Sequence, residues 1–148
     1  MSDINIAILG CGLVGKRHVE AINDTDDINL IDIIEHDPTS LEGYNKIKNV
    51  KIHNNLEEYL SQNQPDGIII STPTVMHLEQ SLICLEKKIP LLIEKPIAIN
   101  ASEAFQIVKK SDETNTPVLI GQHRRHNNIA KIGKKIISDG SIGEVRSI

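Results

Sequence analysis

Short apolar runs alternate along this chain with segments in which apolar residues recur every three or four positions. The runs predict strands at Ile4–Leu9, Asn29–Glu35, Val50–His53, Gly67–Ser71, Leu91–Glu94, Val118–Gly121 and Glu144–Ile148. Several are unbroken Ile, Leu and Val, the mark of strands covered on both faces, as in a parallel sheet. The helical spacing predicts helices over about Leu13–Asn23, Thr39–Lys46, Leu56–Gln62, Thr74–Lys87, Ala101–Thr114 and Ile129–Ser138. Asp37 before Pro38 supplies an N-cap and a first-turn proline. Asn55 with Glu58 resembles a capping box. Val75, Leu78, Leu82 and Leu85 share one face of the fourth helix. Ile129, Ile132, Ile136 and Ile137 share one face of the last, which Gly140 closes. This order of elements predicts an α/β fold, a doubly wound parallel sheet of the Rossmann type with helices on both faces and right-handed crossovers. Residues 1–148 read as one domain of this type, with any ligand across the carboxyl ends of the strands at the switch point. A strand at 144–148 needs a sheet to join, so the chain is expected to be one part of a longer protein.

Between the first strand and the first helix stands Gly10-Cys-Gly-Leu-Val-Gly15, the spacing G-x-G-x-x-G. The first glycine permits a tight turn, the second lets a pyrophosphate approach the backbone, and the third lets helix and strand pack closely. The helix then presents free N–H groups and the positive end of its dipole to the phosphates. Gly10, Cys11, Gly12, Leu13, Val14 and Gly15 are therefore candidate cofactor contacts. Glu35 follows Gly15 at the end of the second apolar run, where a ribose-binding carboxylate belongs, with His36 beside it. A 2′-phosphate there would meet like charge and no arginine is placed to hold it, so NAD is expected over NADP. Asp32 and Asp37 are rival carboxylates. Asp37 is taken by the N-cap, and Asp32 shares a strand face with Leu30 and Ile34.

Net charge is −4 and the chain holds two tyrosines, one phenylalanine and no tryptophan. Neither a basic footprint nor a stacking platform for nucleic acid is expected. Lysine pairs at 87–88, 109–110 and 134–135 fall near predicted helix C-termini, where cations suit the dipole. No apolar stretch approaches the ~20 residues that span a bilayer. With no room for a signal peptide before Ile4, a cytoplasmic location and no membrane partner are expected. Cys11 and Cys84 have no metal-ligand spacing. His123 and His126 flank two arginines that repel a cation, so no metal site is expected.

Three further motifs end strands on the same edge: Ser71-Thr-Pro-Thr-Val-Met-His77, Glu94-Lys95-Pro96 and Gly121-Gln-His-Arg-Arg-His-Asn127. A lysine there can reach a substrate oxygen near the nicotinamide, and a cis bond between Lys95 and Pro96 suits a tight turn at a ligand edge. With the glycine loop, these motifs resemble the glucose–fructose oxidoreductase / inositol dehydrogenase / MocA family of dehydrogenases, in order along the chain. The resemblance implies hydride transfer between a nicotinamide cofactor and a sugar, cyclitol or related polyol. It makes Lys95 the catalytic residue, bonded to the reacting oxygen, and Glu94 the residue that orients its loop. Ser71, Thr72, Pro73, His77, Glu94 and Lys95 would line the dinucleotide, and Lys95, Arg125 and Asn127 would border the substrate pocket. Glu35 stands where the family commonly has Asp. The resemblance also implies a second domain, absent here, that supplies the homo-oligomer interface and an Asp-x-x-x-His pair, so this chain should bind cofactor yet turn over poorly alone. The competing readings are a non-catalytic NAD-sensing module and a methyltransferase-like binder of another adenosine ligand.

Overall fold

A computed structural model describes residues 4–42, 44, 47 and 50–147. Six parallel strands form one sheet: β1 (Ile4–Leu9), β2 (Ile28–Ile34), β3 (Lys51–His53), β4 (Gly67–Ile70), β5 (Leu91–Ile93) and β6 (Val118–Ile120). Their order is β3-β2-β1-β4-β5-β6, so the winding reverses between β1 and β4. Among the described residues four α-helices connect strands, α1 (Leu13–Asn23), α2 (Leu56–Gln62), α3 (His77–Glu86) and α4 (Ala101–Thr114), and α5 (Asn128–Ser138) follows β6.

Strand pleat sorts the core into two clusters, because successive side chains point to opposite faces. Ala7, Leu9, Ile68, Ile70, Leu91 and Ile93 join Leu60 of α2, Leu85 of α3 and Ile107 of α4. Ile8 and Ile33 join Val19 and Ile22 of α1 on the other face. Helix packing on that second face lies over β1 and β2, and Leu119 on β6 is 64% exposed. Asn55 caps α2 by accepting the Glu58 amide at 2.8 Å.

Three expectations are corrected. In place of a helix over Thr39–Lys46 there is a 3₁₀ turn at Pro38–Leu41; Gly43, Asn45 and Lys46 lie outside the described residues. Asp37 Oδ1 accepts both the Thr39 amide at 3.0 Å and its hydroxyl at 2.6 Å, a local bonding pattern that competes with helix. The fourth helix begins in a 3₁₀ turn at Thr74–Met76, whose tighter winding shifts the phase. Its buried face is His77, Gln80, Ser81, Cys84 and Leu85, while Val75 is exposed. The face of α5 that carries Ile129, Ile132, Ile136 and Ile137 is exposed. Residues 144–147 form no strand, and Ile148 lies outside the described residues. An apolar pattern alone makes no strand without a partner backbone.

Candidate cofactor and lysine site

The glycine loop leaves β1 at the switch point. Gly10 has φ +84°, and a Cβ there would stand 2.7 Å from Thr72 Cγ2 and 2.8 Å from the Thr72 amide nitrogen. Only glycine meets both demands. A Cβ on Gly15 would run into the Gly10 carbonyl and stand 3.0 Å from Ser71 Oγ, so the third glycine is needed where the helix folds back on its own loop. Gly12 differs: nothing lies within 4 Å of a Cβ built on it. It faces a cleft of about 680 Å³ and serves as N-cap of α1 without any side-chain cap. An uncapped helix start beside open space is a place for an anion, since the first N–H groups of a helix have no partners within it.

Glu35, just past β2, reaches across to that loop. Its Oε2 accepts the Cys11 amide at 2.7 Å and its Oε1 accepts the Asp37 amide at 3.0 Å. The carboxylate is thus fixed at the rim of the cleft, with lone pairs left for ligand hydroxyls. Cys11 itself is fully buried. Burial, with the Glu35 charge adding to it, pushes its thiol up to about 11, so it fills space in its protonated form.

The cleft is also lined by Leu13, Val14, His36, Ser71, Thr72 and Pro73. Ser71 Oγ donates to the Gly10 carbonyl at 2.6 Å, stapling the end of β4 to the loop after β1. Thr72 Oγ1 donates to Gln80 Oε1 at 2.5 Å. His77 stands back from the cleft, 1% exposed. Its ring bridges the Thr72 carbonyl (Nε2, 2.9 Å) and the Pro96 carbonyl (Nδ1, 3.0 Å), tying the loop after β4 to the loop after β5.

Lys95 is exposed at the carboxyl end of β5, its peptide bond to Pro96 cis. Glu94, beside it, accepts the Lys95 amide on Oε2 at 3.2 Å. Arg125 is exposed on a 3₁₀ turn (His123–His126) after β6. Asn127 Oδ1 caps α5, accepting the Ile129 amide at 2.8 Å. One end of the sheet therefore carries two groups of expected residues. The glycine loop, Glu35, His36 and residues 71–73 converge on the cleft, whereas Lys95, Arg125 and Asn127 stand outside its lining.

Sequence reasoning missed Asn54, which enters the lining just past β3, and Gln80, which lines the cleft and holds Thr72. The position of Asn54 at a strand's carboxyl end was an available signal; Gln80 gave none. It also left Asp32 without a role. Asp32 is 6% exposed and bonds the ring of His53 (Nε2, 2.7 Å) and the hydroxyl of Tyr59 (3.0 Å). It is a structural acid that joins β2, β3 and α2. Among the described residues no three His, Cys, Asp or Glu side chains gather to hold a metal ion. No described helix is long and apolar enough to cross a membrane.

Comparison with known proteins agrees with this geometry. Residues 4–122 match the family described as "Oxidoreductase family, NAD-binding Rossmann fold". A 4-carboxy-2-hydroxymuconate-6-semialdehyde dehydrogenase from Sphingobium is 30% identical over 125 residues, 84% of this chain and 40% of its own length. An inositol 2-dehydrogenase from Rhodococcus jostii is 27% identical over 149 residues, covering 97% of this chain and 40% of the relative. Among solved structures, myo-inositol 2-dehydrogenase from Lactobacillus plantarum superposes with a TM-score of 0.88 at 25% identity, over 97% of this chain and 43% of its own. The WlbA dehydrogenase from Bordetella pertussis, in complex with NADH and UDP-GlcNAcA, gives 0.86 at 25% identity, over 93% of this chain and 40% of its own. The chain thus spans about 40% of the length of the curated relatives it matches.

Proposed function

The chain belongs to the Gfo/Idh/MocA oxidoreductase family, and from that premise we propose that it is the NAD-binding part of a dehydrogenase acting on a sugar, cyclitol or related polyol. The observation that carries this reading is the Glu35 carboxylate, held by the Cys11 and Asp37 amides beside the uncapped start of α1. The helix start takes the pyrophosphate, and Glu35 takes the hydroxyls of the adenosine ribose. The residues present fit the dinucleotide: open space at Gly12, a donor set at the helix start, and an acceptor at the ribose position. A 2′-phosphate would face the Glu35 charge, which favours NAD over NADP.

When bound, NAD supplies the hydride acceptor for oxidation of a secondary alcohol. The chain's own contribution is orientation and a cation. Lys95 stabilises the developing alkoxide and helps move its proton, a role typically worth ~10²–10⁴-fold. Glu94 and His77 hold the loop that carries it. Arg125 and Asn127 border the substrate. The named relatives are dehydrogenases, which gives no support to a purely NAD-sensing role.

The test is a fluorescence and calorimetric titration of this chain with NADH, NADPH and S-adenosylmethionine. Saturable binding of NADH, weaker binding of NADPH and none of S-adenosylmethionine are expected. No heat or fluorescence change with either nicotinamide cofactor rejects the reading.

A further inference from the structure

His18 lies on α1, one turn beyond the last glycine of the loop, and neither the cleft nor the lysine uses it directly. Its Nε2 sits 3.0 Å from Glu94 Oε1, across 76 positions of sequence. A carboxylate only accepts, so the ring nitrogen donates. Both side chains are largely withdrawn from solvent, at 21% and 14% exposure. The other oxygen of Glu94 accepts the Lys95 amide at 3.2 Å. Gly121, at the end of β6, presses on the same carboxylate: a Cβ there would stand 2.9 Å from Oε1 and 3.0 Å from Cδ. The Glu94 side chain is therefore confined by α1, by its own loop and by β6. A charge-assisted bond in such a partly shielded place is both stronger and more directional than one in water.

The consequence is mechanical. The helix whose first turn faces the cleft is the helix that grips the residue next to Lys95. A rigid helix transmits a small shift at its start to the side chain on its next turn, and a fixed carboxylate passes it to the neighbouring peptide. We propose that His18 and Glu94 are a pair of positioning residues that couple cofactor seating at the glycine loop to the placement of Lys95. This rests on the cofactor reading above. Coupling between two sites requires an element whose arrangement both sites bias; here that element is the α1–Glu94 contact, with Gly121 as the wall behind it.

The experiment follows backbone amide resonances of ¹⁵N-labelled chain during titration with NADH. In the unaltered chain, Gly12 and Lys95 amides shift together. His18→Asn places its amide donor too short to reach Glu94, and His18→Gln places one at about the reach of Nε2. Both substitutions suit a partly exposed helix position. The expected result is that His18→Asn keeps the Gly12 shift and loses the Lys95 shift, and that His18→Gln restores it. A residue that merely supports the fold would not show this split or this rescue. An undiminished Lys95 response in His18→Asn overturns the coupling while leaving cofactor binding intact. Failure of His18→Gln to restore the response overturns the proposed donor role. Absence of shifts at both Gly12 and Lys95 in the unaltered chain overturns the cofactor reading, and the coupling with it.

Discussion

The carboxylate of Glu35 accepts the backbone amide of Cys11 at 2.7 Å, so the acid that follows the second strand is anchored to the glycine loop that follows the first. Two motifs 24 positions apart are thereby one device. The loop fixes the acid, and the acid satisfies a loop donor that would otherwise compete for the ligand.

Replacing Glu35 by Ala removes the acceptor for the ribose hydroxyls. Hydrogen bonds to a charged group contribute ~1.5–3 kcal/mol, so NADH affinity should fall about 10- to 100-fold. NADPH affinity should fall less, because charge repulsion disappears with the carboxylate. Parallel fluorescence titrations with the two cofactors check both directions.

The glycines should separate by function. Gly15→Ala forces the loop apart, because its methyl meets the Gly10 carbonyl; both the melting temperature and NADH binding should drop. Gly12→Ala meets no protein atom. It should melt like the unaltered chain and still bind NADH more weakly, since its methyl occupies the phosphate approach. Thermal melts beside calorimetric titrations distinguish the two.

Lys95 is exposed, so Lys95→Ala should change stability by no more than ~0.5 kcal/mol. NADH binding to this chain should be nearly unchanged. In a dehydrogenase of the relatives' full length that carries this chain, the same change should lower turnover ~10²-fold or more. Urea denaturation, titration and a steady-state assay give the three numbers.

Tyr59→Phe deletes a hydroxyl that donates to a buried oxygen of Asp32 at 3.0 Å. An acceptor left without its donor costs ~1–3 kcal/mol. The unfolding free energy should fall by that much, seen as a lower urea midpoint at constant slope, since the exposed surface on unfolding is unchanged.

Both thiols are held protonated by burial. Cys11 is raised from 9.0 to about 11, and Cys84 from 9.0 to about 12. A group raised in the fold keeps its full contribution below its unfolded value and loses it as pH climbs through the folded one. Stability should therefore decline from pH 9 toward 11 and 12. Alkylation of either thiol at neutral pH should be slow in the fold and fast in urea. Mass spectrometry after timed iodoacetamide treatment measures the second effect, and urea midpoints across the pH series the first.

The amino-acid order alone determined the parallel sheet, because unbroken Ile, Leu and Val runs such as Gly67–Ile70 have no polar face to offer solvent. It determined the glycine loop and the capping residues Asp37 and Asn55 as well, since each of these acts on backbone within a few positions of itself. Tertiary structure decided what depends on distant partners. The bonds of Asp32 to His53 and Tyr59, of His18 to Glu94 and of Gln80 to Thr72 appear only once the strands are ordered and the helices laid on them. The apolar face of α5 shows the same limit from the other side. Periodicity states that a face is apolar, and only packing states what, if anything, covers it, because burial is a property of two surfaces and a local pattern describes one.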